Sequence, residues 1–162
     1  MNDDVPTVDA GAEVLGRIVE SSRNLVLLDT ADSGDFVERL RLLTRRSGQS
    51  LYLWKQETGL LSLREGDLVV PGCRRLTDAL RFIRRSMHFG IYLLQDVGEL
   101  LRPQDTVLLA QIARLNDGPA RRVVLMGPAD DYSESLRAVS LQLSVSGGEH
   151  QRPRLRDGRW VR

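Results

Sequence analysis

Two aspartates stand where an α/β protein does chemistry. Asp29 follows the apolar run Leu25 to Leu28, and Asp96 follows Ile91 to Leu94 with Gln95 between. In nucleotide-hydrolysing proteins an acid at the end of such a strand holds the magnesium of the bound nucleotide. That role needs a phosphate cradle: glycines that expose backbone N–H groups, a lysine that reaches the phosphates and a Ser or Thr on the metal. The turn after the first run reads DTADSGDF, with one glycine, no lysine and three acids, Asp29, Asp32 and Asp35. Carboxylates there repel phosphate at the helix N-terminus that should attract it. The expectation is accordingly a chain that does not hydrolyse ATP in the conventional way. Asp96 is left with structural work, capping the turn Val97 to Glu99 or pairing with an arginine. As a pair on neighbouring strands, Asp29 and Asp96 are also the one candidate for a metal-dependent hydrolase, the weakest of three functional readings.

A second constellation is Arg64, Gly66 and Asp67, an RxGD pattern. It is similar to the arginine and aspartate motif with which some bacterial domains grip cyclic di-GMP, Arg pairing with phosphate or guanine and Asp accepting from the guanine edge. A sensor of a nucleotide second messenger is accordingly the alternative function. Its bland counterpart is a turn in which Gly66 supplies the special backbone angle. Arg154 to Asp157 repeats the spacing in the tail. His88 and His150 follow no strand end, and with the single Cys73 they make no zinc set, so no metal, cofactor or catalytic residue is assigned.

The 23 basic and 22 acidic residues nearly cancel, to a net charge of +1. No global field draws the chain to nucleic acid or to anionic lipid, and nucleic acid is an unlikely partner on composition. Lys55 is the one lysine, the other 22 basic residues being arginine. Arg45-Arg46, Arg74-Arg75, Arg84-Arg85 and Arg121-Arg122 come in pairs, with Arg81 close by, and read as a solvated rim. No apolar run approaches the roughly 20 residues of a membrane span, and the first residues, MNDDVPTVDAG, are acidic where a secretory signal is basic and then apolar. The expectation is a soluble, cytoplasmic protein without membrane partners.

Four uninterrupted apolar runs, at Leu25 to Leu28, Leu51 to Trp54, Ile91 to Leu94 and Val123 to Met126, have the pattern of strands buried on both faces. Helical patterns lie between them. Asp35 with Glu38 predicts a capping box for one helix, which Gly48 ends; Thr77 caps a second, with Leu76, Leu80, Ile83 and Met87 inward; a third spans about Gln104 to Leu115 and stops at Asp117-Gly118-Pro119. An extra helix precedes the first strand within Val8 to Ser22, a fourth covers Ser133 to Val139, and Leu141 to Val145 returns as an edge strand. Between Trp54 and Cys73 the chain makes a hairpin-like insertion. The alternation predicts a three-layer α/β sandwich on a mostly parallel sheet of about five strands. One domain spans 1–148, with 1–22 as N-terminal extension and helix, and 149–162 form a basic, flexible tail.

The phrases LYLWKQETGLL, LTDALRFIRRSMHFGIYLLQDVGELLRPQDTVLLAQIARL and RRVVLMGPA together resemble the amino-terminal domain of AAA+ ATPases of the hypothetical-chloroplast-frame class, found in cyanobacteria, plastids and other bacteria. The resemblance covers Leu25 to Pro128. It departs at Gln95, where relatives tend to carry lysine. In that family the ATPase module follows this domain, and the chain ends at Arg162 without it. The resemblance implies a degenerate P-loop or RecA-like topology lacking a Walker A loop. It further implies a free-standing, non-catalytic adaptor or regulatory domain that engages a protein partner, an ATPase among the candidates, or pairs as a homodimer.

Overall fold

The computed structural model describes residues 10–64, 66–116 and 121–145. Five helices, α1 (Ala10–Glu20), α2 (Ser33–Ser47), α3 (Leu76–Arg85), α4 (Pro103–Arg114) and α5 (Glu134–Ala138), surround one sheet. Its strands are β1 (Leu25–Thr30), β2 (Leu51–Lys55), β3 (Gly59–Ser62), β4 (Leu68–Val69), β5 (Gly90–Gln95), β6 (Arg121–Met126) and β7 (Leu141–Val145). They lie in the order β4-β3-β2-β5-β6-β1-β7. Five are parallel, from β2 through β5, β6 and β1 to β7, and β3 and β4 add antiparallel strands outside β2. The sheet thus has seven strands where about five were expected. The expected insertion is a hairpin as read, but it joins the main sheet, because Leu60, Leu61 and Leu63 continue the buried surface of β2. β7 is the edge strand expected at that position.

Period-two alternation sorts the strands' side chains onto two faces. On one, Leu27, Leu94, Val123 and Leu125 pack with Leu80 and Ile83 of α3, Leu109 and Ile112 of α4, and Leu136 of α5. On the other, Val26, Leu28, Leu93 and Val124 pack with Leu15 and Ile18 of α1 and with Phe36 and Leu40 of α2. The crossover from β1 to β2 runs over the second face and those from β2 to β5 and β5 to β6 run back over the first. One handedness for all three requires this arrangement.

The helix ends differ from the sequence reading in detail. Asp32 is the N-cap of α2, its carboxylate accepting the Asp35 N–H at 2.9 Å, so the cap lies a turn ahead of the expected Asp35–Glu38 box. Thr77 does not cap α3: the N-cap is Arg75, without a side-chain acceptor. Met87 lies beyond the end of α3 and is 81% exposed, where it was expected inward. Gly48 ends α2 as expected, at φ 82° with its N–H on the Thr44 carbonyl. The Asp117-Gly118-Pro119 stop, the Arg154–Asp157 motif, His150 and the 149–162 tail lie outside the described residues.

The largest departure concerns Arg121 and Arg122, read as solvated rim and found 1% and 6% exposed. They start β6 and, being adjacent, point to opposite faces. Arg121 donates through Nε to the Ile83 carbonyl at 3.1 Å and through its terminal nitrogen to the Ser86 carbonyl, closing the C-terminus of α3. Arg122 donates to the carbonyls of Ile18, Val19 and Ser21 at the end of α1, to its own neighbour's carbonyl at Arg121, and to Asn24 Oδ1. Its guanidinium also lies 5.7 Å from the Phe89 ring centre. Asn24 Nδ2 in turn donates to the Ile112 and Leu115 carbonyls at the end of α4. Helix C-termini leave carbonyls without partners and carry partial negative charge, so buried cations there satisfy both needs. Burial pulls the Arg122 guanidinium below the usual arginine value, and the group remains charged.

Replacing Arg122 with leucine would strand several buried carbonyls. Each charge-assisted bond contributes about 1.5–3 kcal/mol, so the Arg122→Leu variant is expected to lose about 3 kcal/mol or more in urea unfolding. Arg45→Ala, on the exposed side of α2, should change stability by less than about 0.5 kcal/mol.

Candidate functional site

In an open parallel sheet the ligand crevice lies beyond the strands' C-terminal ends, where outgoing connections part to opposite faces. Here that point lies between β1 and β6: α2 follows β1 over one face, and the 3-10 turn Ala129–Asp131 with α5 follows β6 over the other. The position is acid-rich. Asp29 lines a depression of about 190 Å³ with Gly127 and Ser144. Asp32 is occupied in capping α2, and Asp35 pairs with Arg39 at 3.5 Å across one helical turn. Asp131 packs against Gly98, where an added Cβ would come within 2.8 Å of its own Cβ.

Asp96 is exposed and adopts φ 58°, the left-handed region, in the bend that ends β5. Aspartate enters this region more readily than most residues. Among the described residues its carboxylate shows neither the turn cap nor the arginine pair expected of it. β6 separates β5 from β1, so Asp29 and Asp96 do not end neighbouring strands, as had been expected; the strand axes are about 9.5 Å apart. Among the described residues no group of three His, Cys, Asp or Glu side chains could hold a metal ion. Gln95 donates from Nε2 to Ser33 Oγ at 2.8 Å and so fixes β5 to the start of α2.

Tyr132 senses the acids at this edge. It is 3% exposed, and its hydroxyl donates to the Met126 carbonyl at 3.1 Å. Burial, then Asp131, then Asp96 push its ionisation well above the ordinary tyrosine value. In the unfolded chain a tyrosine ionises near pH 10. The stability this contributes is complete below that pH and falls as pH rises from there toward the higher native value. The urea midpoint should accordingly drop on going from about pH 9 to about pH 11, and Tyr132→Phe should flatten that drop.

The RxGD residues fall on the loop between β3 and β4. Gly66 has φ 109°, as the turn reading required. Asp67 accepts from Arg41 of α2 at 2.8 Å, so its carboxylate is engaged within the chain, while Arg64 is exposed. His88 is exposed after α3, and Cys73 is buried, its thiol pushed up by desolvation.

A cleft that sequence reasoning missed opens beside β2. It measures about 410 Å³ and is walled by Trp54 of β2 and Gln56 just after it, Arg74 to Thr77 and Arg81 around the start of α3, and Leu100, Arg102, Gln104 and Asp105 around the start of α4. Its signal in the sequence was four arginines, at 74, 75, 81 and 102, whose meeting depends on α3 packing on α4. Thr77 Oγ1 donates to Asp105 Oδ1, and the Arg102 N–H donates to Asp105 Oδ2, tying the two helix starts together. On the other side, the Trp54 indole N–H donates to the Arg74 carbonyl and the Leu60 N–H to the Cys73 carbonyl. Gly59, at φ 74°, permits this approach, since a Cβ there would lie 2.8 Å from Arg74 Cα and 2.9 Å from the Cys73 oxygen. Gly59→Ala is expected to cost about 2 kcal/mol or more, from strained backbone and backbone clash, readable as a lower urea midpoint.

The family described as the SpoVK-like AAA ATPase, N-terminal domain, matches residues 12–145. The chain belongs to this family. The match extends beyond the Leu25 to Pro128 covered by the resemblance, taking in α1 and β7. No curated protein matches the chain. Among solved structures, the large terminase of a thermophilic bacteriophage is similar at 9% identity, with a TM-score of 0.33, covering 83% of this chain. This chain spans 36% of that protein, and so distant a likeness carries no argument. Among the described residues no helix is long and apolar enough to cross a membrane.

Proposed function

We propose that this N-terminal domain is a regulatory or adaptor module on a degenerate P-loop-like scaffold, acting through contact with a protein partner, an AAA ATPase module first among them. The observation that carries this is the turn after β1. In a hydrolytic relative a phosphate cradle would occupy it, whereas here the start of α2 is capped by the chain's own Asp32 carboxylate and flanked by Asp29 and Asp35. Phosphate brought there meets like charge and a donor already engaged. What the domain offers instead is surface. Leu68 and Val69 of β4, the outermost strand on that side of the sheet among the described residues, are 60% and 65% exposed, at a strand edge of the kind that accepts a partner strand.

The test is an ATPase assay in two parts. The chain alone, with ATP and magnesium, should release phosphate no faster than buffer. Added to the ATPase module of a SpoVK-like AAA protein, it should change that module's turnover, and Leu68→Glu with Val69→Glu should abolish the change. Hydrolysis by the chain itself, lost in Asp96→Asn, would overturn the proposal, as would a turnover indifferent to the chain.

A further inference from the structure

The cleft beside β2 is of the size of small-molecule sites, about 300–1,000 Å³, at about 410 Å³. Its charge is one-sided. Four guanidinium groups, Arg74, Arg75, Arg81 and Arg102, line it against a single acid, Asp105. That acid is 1% exposed, and both its oxygens already accept bonds, from Thr77 and from the Arg102 N–H. Asp78 pairs with Arg75 at 3.1 Å and with Arg81 at 3.6 Å, so one carboxylate is shared by two guanidinium groups. Arg74 and Arg102 have no ion-pair partner among the described residues. The start of α3 adds donors, because its N-cap, Arg75, provides no side-chain acceptor and Leu76 and Thr77 face the cleft. The rest of the lining sets apolar Leu76, Leu100 and Trp54 beside the neutral polar groups of Gln56, Thr77 and Gln104.

We propose that this cleft binds a small phosphate-bearing ligand with an apolar or heterocyclic body, the class to which a nucleoside monophosphate belongs. Arginine presents a planar fork that matches phosphate oxygens two at a time, and an uncapped helix start supplies further N–H donors and favourable partial charge. Arg74, just ahead of α3, and Arg102, just ahead of α4, hold the phosphate; Arg75 and Arg81, paired with Asp78, complete the positive field. The body of the ligand rests on Leu76 and Leu100. A long polyanion fits less well, because the loop that brings Leu100 and Arg102 also carries Asp96 and Glu99. The site stands apart from the acid-rich crevice between β1 and β6, and it stands or falls independently of the partner reading.

Titration calorimetry on the full chain at low salt tests it, with adenosine monophosphate and inorganic pyrophosphate as probes. Both should bind, more weakly as salt rises. Arg74→Ser with Arg102→Ser should weaken binding about tenfold or more, and Arg64→Ala, on the β3–β4 loop, should leave it unchanged. The replaced side chains are exposed, so unaltered thermal midpoints should accompany the loss. Absence of heat with either probe at millimolar concentration would overturn the proposal. So would a double variant that binds like the parent chain, or binding of a phosphoserine peptide with neither small probe bound.

Discussion

The fold turns on two adjacent arginines buried at the start of a central strand. In a parallel sheet the helices run opposite to the strands, so their C-terminal carbonyls gather at the end where the strands begin. Arg121 closes α3 on one face and Arg122 closes α1 on the other, while Asn24, bonded to Arg122, closes α4. At the neighbouring strand start, Arg23 donates to the Ala138 and Ser140 carbonyls at the end of α5. Both layers of helices are therefore anchored to the sheet by hydrogen bonds as well as by apolar contact. A buried guanidinium is costly to desolvate, and it is tolerated here because its donors meet carbonyls that would otherwise be stranded.

The opposite end of the sheet has a different character. Between β1 and β6, where an α/β fold offers its default ligand crevice, the side chains are acids and the start of α2 is self-capped. Two strands away, at the starts of α3 and α4, the side chains are arginines. Charge of opposite sign is thus separated along one edge, which the near-zero net charge of the whole chain conceals.

The strands of the parallel core were legible because burial on both faces leaves uninterrupted apolar runs. β4 was not, being two exposed residues with no pattern of their own; with β3 it joins the sheet through the continuation of β2 by Leu60 and Leu61. The three acids of DTADSGDF, Asp29, Asp32 and Asp35, lie together at the end of β1 and the start of α2, as their closeness in sequence requires. The neighbouring placement of Asp29 and Asp96 could not be read, since strand order is decided by crossovers that the local sequence does not encode. Arg121 and Arg122 looked like surface because their acceptors are backbone carbonyls far away in sequence, and carbonyls carry no signature in residue identity. The cleft was hidden for the same reason: Arg74 and Arg102 meet through the Thr77–Asp105 bond between two helices.

The opposed directions of Arg121 and Arg122 bear on how such a domain can change by inheritance. Because a strand alternates faces at every residue, sliding β6 by one position would exchange the two arginines' destinations, leaving each guanidinium in the helix layer meant for its neighbour. Insertions and deletions ahead of β6 are therefore tolerable only when the strand keeps its pairing of Arg122 with Ile91 and Val123 with Leu25. The pair works as a frame marker for the sheet. Variation in length should then accumulate in connections that approach no such marker, the hairpin loop between β3 and β4 foremost among them.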